Sequence, residues 1–172
     1  MKAFIGIDPG KEGAITILDK EGNVKFMSTF PKIKKEIDNN DMARMFADLK
    51  SYDGMIVGIE DVHALFGSSS KATFNFGHIC GFILGLVVGN KYPYVEIQPK
   101  VWQKVMFEGV PELFKPMKEG QKKKVRDTKA MALLAAKRLF PDIDLRATQR
   151  STNPHDGIVD SLLIAEFVRR KY

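Results

Sequence analysis

Short runs of apolar residues, separated by turn residues, dominate the beginning of the chain. Two runs, Ala3–Ile7 and Ala14–Leu18, flank a glycine-rich turn over residues 8–13. A second turn, Asp19–Asn23, leads into a third run, Val24–Phe30. Runs rich in β-branched residues and punctuated by Gly, Pro and Asn are typical of strands joined by hairpins. The chain is therefore predicted to open with three antiparallel strands.

Farther along, short apolar runs alternate with segments of helical periodicity. Strands are predicted over Met55–Glu60, which is continuously apolar like a central parallel strand, and over Tyr94–Ile97. Residues Lys32–Asn40 are charged and are predicted to form a loop. Helices are predicted over Asp41–Leu49, Lys71–Val88, from Pro99, over Asp127–Leu139 and from about Pro154. The predicted fold class is α/β, with a mixed five-stranded sheet of three antiparallel and then parallel strands, flanked by helices.

Four glycines recur at every fourth position in and just past the second predicted helix, namely Gly77, Gly81, Gly85 and Gly89. Each costs about 1 kcal/mol of helix propensity relative to alanine, so something is expected to pack closely on this stripe. The sheet of the same subunit is favoured over a partner helix. No membrane span is expected, because the apolar run Ile79–Val88 is shorter than the roughly 20 residues that a bilayer requires.

Four carboxylates stand where a site can form. Asp8 and Glu60 each end a predicted strand, and Asp156 and Asp160 lie four residues apart at the front of the last helix. The four acids converge if the two strands are neighbours, and Mg²⁺ and Mn²⁺ prefer such oxygen clusters. Each acid also has a purely structural interpretation, as a turn residue, an edge ion pair, a helix-cap acid or a surface acid.

Three stretches contain these acids, and they read IGIDPGKEGAI, VGIEDV and HDGIVDSLLIAEF. Together with GFILGLV and QPKVWQK, they resemble the RuvC-like Holliday-junction resolvases of the RNase H-like superfamily, especially the phage and organellar branch. The resemblance covers nearly the whole chain and implies one RNase H-like nuclease domain over residues 1–172. It also implies an endonuclease that resolves four-way DNA junctions as a homodimer, by paired phosphodiester hydrolysis.

Phosphodiester hydrolysis needs a nucleophilic water, a stabilised leaving oxygen and neutralised phosphoryl charge, and two divalent ions supply all three. The expected cofactor is Mg²⁺, for which Mn²⁺ substitutes. Asp8 is expected to bridge the two ions, because the sheet holds a strand-end residue rigidly. Glu60 is expected to bind one ion, and Asp160 with Asp156 the other.

His155 is a further catalytic candidate, since resolvases of this kind use either a histidine or an acid at these two positions. A helix that begins at Pro154, with Asn153 as its cap, places Asp156 at the third helical position. On that helix Asp156 and Asp160 lie about 40° apart around the axis, whereas His155 and Asp160 lie about 140° apart. This geometry favours Asp156 as the ligand and leaves His155 as a proton donor or phosphate contact.

The charge balance favours an acidic polymer as partner. The chain has 27 Lys and Arg against 21 Asp and Glu, a net charge of +6, although ribosomal or membrane-surface association would give the same number. The predicted nucleic-acid contacts, which are otherwise a solvated face, are Lys100, Lys104, Lys122, Lys123, Lys124, Arg126 and Lys129. In the loop after Glu60, the resemblance implies that an apolar side chain such as Phe66 wedges into the opened junction.

Other functions are compatible with parts of this pattern. One is a monomeric RNase H-like nuclease that acts on branched DNA or on an RNA–DNA hybrid. Another is an actin-like phosphate-binding or kinase domain, although a second phosphate loop is missing; a nuclease-dead DNA-binding module conflicts with the four acids. The single cysteine, Cys80, suits a reducing cytoplasm, which for a phage protein is that of the host.

Overall fold

A mixed five-stranded sheet forms the centre of the protein. The computed structural model describes residues 2–52, 54–62, 69–117, 119–121 and 123–172. The sheet contains β1 (Lys2–Asp8), β2 (Ala14–Asp19), β3 (Val24–Thr29), β6 (Gly54–Glu60) and β7 (Tyr94–Ile97), in the order β3-β2-β1-β6-β7. β1, β2 and β3 are antiparallel, whereas β6 runs parallel to β1 and β7 parallel to β6. The predicted sheet of three antiparallel and then parallel strands is confirmed.

Helices cover both faces of this sheet and enclose two hydrophobic cores. The helices are α1 (Asn39–Asp48), α2 (Ser70–Gly89), α3 (Pro99–Met106), α4 (Thr128–Leu139) and α5 (Asp156–Lys171). The first core joins α3, α4 and α5 to one face, around Trp102 and Leu162. The second core joins α1 and α2 to the other face, around Phe46 and Ile83. Alternate residues of β1 point into opposite cores, as the period of a strand requires.

Close approach of α5 to the sheet determines where its acids lie. A Cβ atom built at Gly6 of β1 would lie 2.1 Å from the backbone oxygen of Ser161, so only glycine permits this contact. The hydroxyls of Thr16 and Ser161 also form a buried hydrogen bond of 2.8 Å across the same interface. Helix α5 is therefore held tightly against β1 and β2, and its first turn meets the end of β1 at Asp8.

The segment predicted as a loop over Lys32–Asn40 contains structure, which corrects that prediction. Two-residue strands β4 (Lys32–Ile33) and β5 (Glu36–Ile37) pair as a small hairpin. Helix α1 then begins at Asn39, because the Asp38 carboxylate caps it by accepting from the backbone N–H groups of Asn40 and Asp41. The prediction that Asp41 caps this helix was wrong, since the first turn of α1 is polar and gives no apolar signal.

The prediction that the glycine stripe of α2 packs on the sheet was also wrong. A Cβ atom built at Gly77, Gly81, Gly85 or Gly89 would meet nothing within 4 Å among the described residues. Helix α2 contacts the sheet instead through its buried residues Ile83 and Val87. The glycines thus leave an open surface.

Helix α2 is also longer than the apolar run that the sequence suggested. It has 20 residues. Judged by length and composition alone, it is the one helix in the described part of the chain that could cross a membrane. Length therefore does not exclude a membrane span, contrary to the prediction made from the apolar run Ile79–Val88. In the subunit, Ile83 and Val87 of this helix are buried against the sheet, and the rest of its surface is half-buried or exposed.

Candidate active site

The predicted acids meet at one edge of the sheet, where the neighbouring parallel strands β1 and β6 end. Asp8 ends β1, Glu60 ends β6, and the first turn of α5 brings Asp156 and Asp160 beside them. Asp8, Asp156 and Asp160 line a common cavity of about 530 Å³ together with His155. Glu60 does not line this cavity, but its charge acts on both Asp8 and Asp160. We refer to this cavity and Glu60 as the acidic site.

Burial and mutual repulsion disfavour ionisation of the acids at this site. Burial, followed by the charges of Glu60 and Asp156, raises the pKa of Asp8 to about 7. Burial and the charges of the other three acids raise the pKa of Asp160 to about 8. The pKa of Glu60 is raised by burial as well. A divalent cation would relieve this repulsion, so the electrostatics of the acidic site fit a bound cation.

Lys129 of α4 supplies a positive charge to the acidic site. Its ammonium donates a hydrogen bond to the Asp156 carboxylate, and this contact is the main cause of the raised pKa of Lys129. Its charge also lowers the pKa values of Asp8 and Asp160, against the larger effect of burial. The sequence predicted Lys129 as a nucleic-acid contact and gave no sign that it would pair with Asp156, 27 residues away.

The carboxylate oxygens of the acidic site are the kind of ligand that a hard cation binds, although the side chains are not arranged around an ion. Among the residues that the structure describes, no group of three or more His, Cys, Asp or Glu side chains is arranged to hold a metal ion. All four acids offer oxygen, which Mg²⁺ prefers. Asp156 is exposed and paired with Lys129, so its side chain is free to turn toward a cation once that ion pair is released.

Trp102 is a residue of the acidic site that sequence reasoning did not single out. Its indole Nε1–H donates a hydrogen bond of 2.8 Å to Oε1 of Glu60. This bond favours the ionised carboxylate and partly offsets the effect of burial on the pKa of Glu60. The ring packs edge-on against Phe107, which fixes its direction. The available signal was the QPKVWQK stretch, which contributed to the family resemblance but received no chemical role.

His155 precedes α5 and occupies the position of its cap. Its backbone N–H donates to the carbonyl of Leu145 at 2.8 Å, and its extended conformation delays the helix until Asp156. The prediction that Asn153 caps a helix starting at Pro154 was therefore wrong, and Asp156 is the first helical residue, not the third. Since His155 lies outside the helix, the angular argument against it does not hold, and its side chain lines the same cavity as the acids.

Gly157 allows α5 to start next to the strand that carries Asp8. A Cβ atom at this position would lie 2.4 Å from the backbone oxygen of Glu12 and 3.1 Å from Oδ2 of Asp8. A larger residue would push the start of α5 away from the β1–β2 turn. The cavity thus depends on a glycine between its two helical acids, Asp156 and Asp160.

The predicted nucleic-acid residues separate into groups in space. Lys100 and Lys104 of α3 join Arg126 around a cavity of about 340 Å³, so two distant segments of sequence form one basic pocket. Lys123 and Lys124 are exposed on the segment before α4, and the Lys124 ammonium lies 5.6 Å from the centre of the Phe114 ring. Lys129 belongs to the acidic site. Phe66 and Lys122 lie outside the described residues.

Comparisons with known proteins identify the fold. Comparison with protein-family models finds no match, and comparison with curated protein sequences finds none either. Among solved structures, Thermus thermophilus RuvC matches with a TM-score of 0.57 and 16% identity, covering 98% of this chain and 95% of that chain. The same protein in complex with a Holliday junction substrate matches with a TM-score of 0.56 and 15% identity, over 98% of this chain and 94% of that chain. The chain has the RuvC fold.

A eukaryotic structure supports the same conclusion. The yeast mitochondrial Holliday junction resolvase Ydc2 matches with a TM-score of 0.56 and 15% identity, covering 96% of this chain and 77% of that chain. At this identity the likeness shows the fold alone. In this RuvC fold, the function has to be argued from the acidic site and its surroundings.

Proposed function

We propose that the protein is a metal-dependent endonuclease that resolves four-way DNA junctions as a homodimer. The observation that carries this proposal is the acidic site, where Asp8 and Asp160 are half-buried and have raised pKa values in an otherwise basic protein. Ionisation of these carboxylates near neutral pH is therefore costly, and a bound divalent cation would offset that cost. The RuvC fold, which a Holliday-junction complex and a mitochondrial resolvase share, supports branched DNA as the substrate.

The residues proposed to hold Mg²⁺ or Mn²⁺ are Asp8, Glu60, Asp156 and Asp160. When bound, such ions would activate a water molecule and neutralise charge on the phosphate group. Trp102 orients the Glu60 carboxylate through its hydrogen bond, as groups that hydrogen-bond to metal ligands do. Lys129 offsets the negative charge of the acids through Asp156. His155 lines the cavity, where its imidazole can contact a phosphate oxygen or carry a proton.

Basic residues beside the acidic site are proposed to bind the DNA backbone. The pocket of Lys100, Lys104 and Arg126 contains three cations and a single acid, Glu108, among its lining side chains. Arg126 forms an ion pair of 3.3 Å with Glu112. Both side chains are exposed, so this pair contributes little stability in water. These cations are therefore available to phosphate groups, which Lys and Arg contact in a sequence-independent way.

The open face of α2 is proposed as the dimer interface. Phe74 is 74% exposed and Val88 is 52% exposed on this helix, and a Cβ atom at any of its four glycines meets none of the described residues within 4 Å. Exposed apolar surface of this kind marks a contact with another molecule, and glycines allow two helices to approach closely. A second copy of the chain fits best, because paired cuts need two active sites and a two-fold dimer provides them.

The proposal is tested by incubating the protein and Mg²⁺ with a labelled four-way junction, beside duplex, flap and RNA–DNA hybrid. We expect symmetric cleavage of the junction that EDTA abolishes and Mn²⁺ supports. Asp8→Asn should reduce cleavage about a thousandfold or more, since the loss of metal-ion stabilisation costs several kcal/mol. Junction binding by this variant should persist, because phosphate contacts carry the affinity.

Other outcomes would redirect the assignment. Cleavage of the hybrid by one subunit, with the junction left intact, would favour a monomeric RNase H-like nuclease. Near wild-type cleavage by Asp8→Asn would remove the metal assignment.

The proposed compartment is a cytoplasm, as the described chain contains one free cysteine, Cys80, and no disulfide.

A further inference from the structure

The hairpin formed by β4 and β5 presents two lysines at its tip. Lys34 and Lys35 connect the two short strands, and both side chains are exposed. Lys34 has a φ angle of 58°, in the left-handed region that favours glycine. A lysine in this conformation strains the backbone, and such strain persists where the surrounding structure imposes it. The hairpin therefore holds a positive side chain where glycine would be more stable.

Two ion pairs connect this hairpin to the turn between β1 and β2. Nζ of Lys11 lies 2.7 Å from Oε1 of Glu36, and Nζ of Lys32 lies 2.6 Å from Oε2 of Glu12. In the first pair the turn supplies the lysine and the hairpin the glutamate. In the second pair the turn supplies the glutamate and the hairpin the lysine. Both glutamates are thereby neutralised, and Lys34 and Lys35 have no ion-pair partner among the described residues.

The same turn forms one wall of the acidic site. Gly10, Glu12 and Gly13 line the cavity that contains Asp8. A neighbouring cavity of about 500 Å³ shares Glu12 and His155 with it and extends to Thr29 and Lys32 at the base of the hairpin. Two adjacent cavities thus lie between the acids and the base of the hairpin, with Glu12 and His155 in the wall of both.

We propose that the β4–β5 hairpin is a second contact for the DNA backbone, in which Lys34 and Lys35 bind phosphates of the strand that leaves the acidic site. Lys129 of α4 lines the acidic site, and so does the β1–β2 turn, to which the hairpin is joined by its ion pairs. A strand lying in these cavities would then be held by cations at both ends of the acids. This inference rests on the proposed function and extends it to residues outside the predicted set.

Salt dependence of binding tests the hairpin directly. Junction affinity is measured between 50 and 200 mM salt in an Asp8→Asn background, so that no cleavage interferes. K34Q/K35Q should weaken binding and lower the slope of log K against log salt by about 0.9 for each lysine, so that the affinity lost between 50 and 200 mM salt is roughly threefold smaller per lysine. The matched control is K20Q/K91Q, which removes two exposed lysines at the opposite edge of the sheet and should leave the slope unchanged.

A second pair of variants separates binding from folding. K34G removes one charge and relieves the left-handed strain, so its melting temperature should be equal or higher while junction affinity falls. Lys91 has a φ angle of 60°, so K91G should show the same thermal gain with no loss of affinity. A purely structural hairpin would change stability in both variants and affinity in neither.

The outcomes distinguish this inference from the proposed function. If the wild-type protein cleaves junctions but K34Q/K35Q matches its control in slope and affinity, the hairpin contact is wrong and the nuclease proposal stands. If the wild-type protein binds neither branched nor duplex DNA, both fail. The hairpin contact is supported if the slope falls in K34Q/K35Q but not in K20Q/K91Q, and if affinity falls in K34G but not in K91G.

Discussion

Helices α5 and α2 lie on opposite faces of the same sheet and use their apolar residues differently. In α5, the segment from Gly157 to Val168 is buried except for Asp160, which faces the acidic site. In α2, which is longer, only Ile83 and Val87 are buried in the subunit. The apolar surface of α5 is buried by its own chain, whereas that of α2 is only partly buried and includes the exposed residues Phe74 and Val88.

This difference separates two tasks. A helix that contacts the sheet backbone at Gly6 has one possible position, so α5 can carry acids whose placement matters for chemistry. A helix that packs on the sheet through part of its surface and leaves its glycine stripe open is suited to assembly. We therefore expect changes on the α5 face to affect folding and metal binding, and changes on the open face of α2 to affect subunit association.

The largest effect is expected from Gly6→Ala, which removes the close approach of α5 to β1. The new Cβ atom would meet backbone atoms of Ser161 and Ala165 within 2.1–2.3 Å, and backbone does not move aside easily. We expect a loss of about 3 kcal/mol in the free energy of unfolding, measured by urea denaturation. Gly54→Ala is the control, because a Cβ atom on that strand glycine meets nothing within 4 Å. Equal effects of the two substitutions would contradict the tight α5 contact.

The next effect concerns the two residues at the start of α5. Asp156→Asn should reduce Mg²⁺-dependent cleavage about a hundredfold, whereas His155→Ala should reduce it about tenfold, since a group that contacts a phosphate without binding the metal contributes less than a metal ligand. Asp156 and Asp160 are one helical turn apart and face the same side, which favours Asp156. Single-turnover cleavage rates provide the measurement. The reverse ranking would make His155 the residue at the metal.

The pH dependence of stability should reveal the repulsion among the acids. The folded-state pKa values of Asp8, about 7, and Asp160, about 8, lie above the ordinary value of 3.8. Groups raised in this way stabilise the fold below about pH 4, and that stability is lost as the pH rises through 7 and 8. Without metal, we expect the melting temperature to fall by about 5 °C between pH 6 and pH 8.5, equivalent to roughly 2 kcal/mol.

Mg²⁺ should reverse this loss, because cations bind the ionised acids. Its stabilising effect should therefore be larger at pH 8.5 than at pH 6, as measured by thermal unfolding at both pH values. Asp160→Asn should flatten the pH dependence and weaken the response to Mg²⁺. A response to Mg²⁺ that is the same at both pH values in the wild-type protein would exclude these acids as its cause.

The smallest effect on the subunit is expected from Gly81→Ala in α2. Its Cβ atom meets no atom within 4 Å, so the substitution should stabilise the isolated subunit by up to about 1 kcal/mol through helix propensity. Self-association should weaken about tenfold, as measured by sedimentation equilibrium, because the added methyl group separates the paired helices. Destabilisation of the subunit with unchanged association would show that this surface is not the interface.

The elements of the sheet could be predicted from local patterns. Alternation of apolar residues and glycine-rich turns identified β1, β2, β3, β6 and β7 with each end within one residue, because these signals lie within each segment. The positions of Asp8 and Glu60 at two strand ends followed from the same patterns. Their closeness needed only the assumption that the two strands are neighbours, which the parallel pairing of β1 and β6 confirms.

Other features depended on contacts between distant segments. The bond from His155 to Leu145 shifted the start of α5 by two residues, and the pair of Lys129 with Asp156 joined two helices. The orientation of the glycines in α2 was decided by which of its faces met the sheet. A local pattern records propensity and periodicity, but it contains no record of the neighbour against which a face will pack. The sequence by itself thus determined the strands and the acids that end them, whereas only the tertiary structure decided which charges meet those acids and which apolar surface remains for a partner.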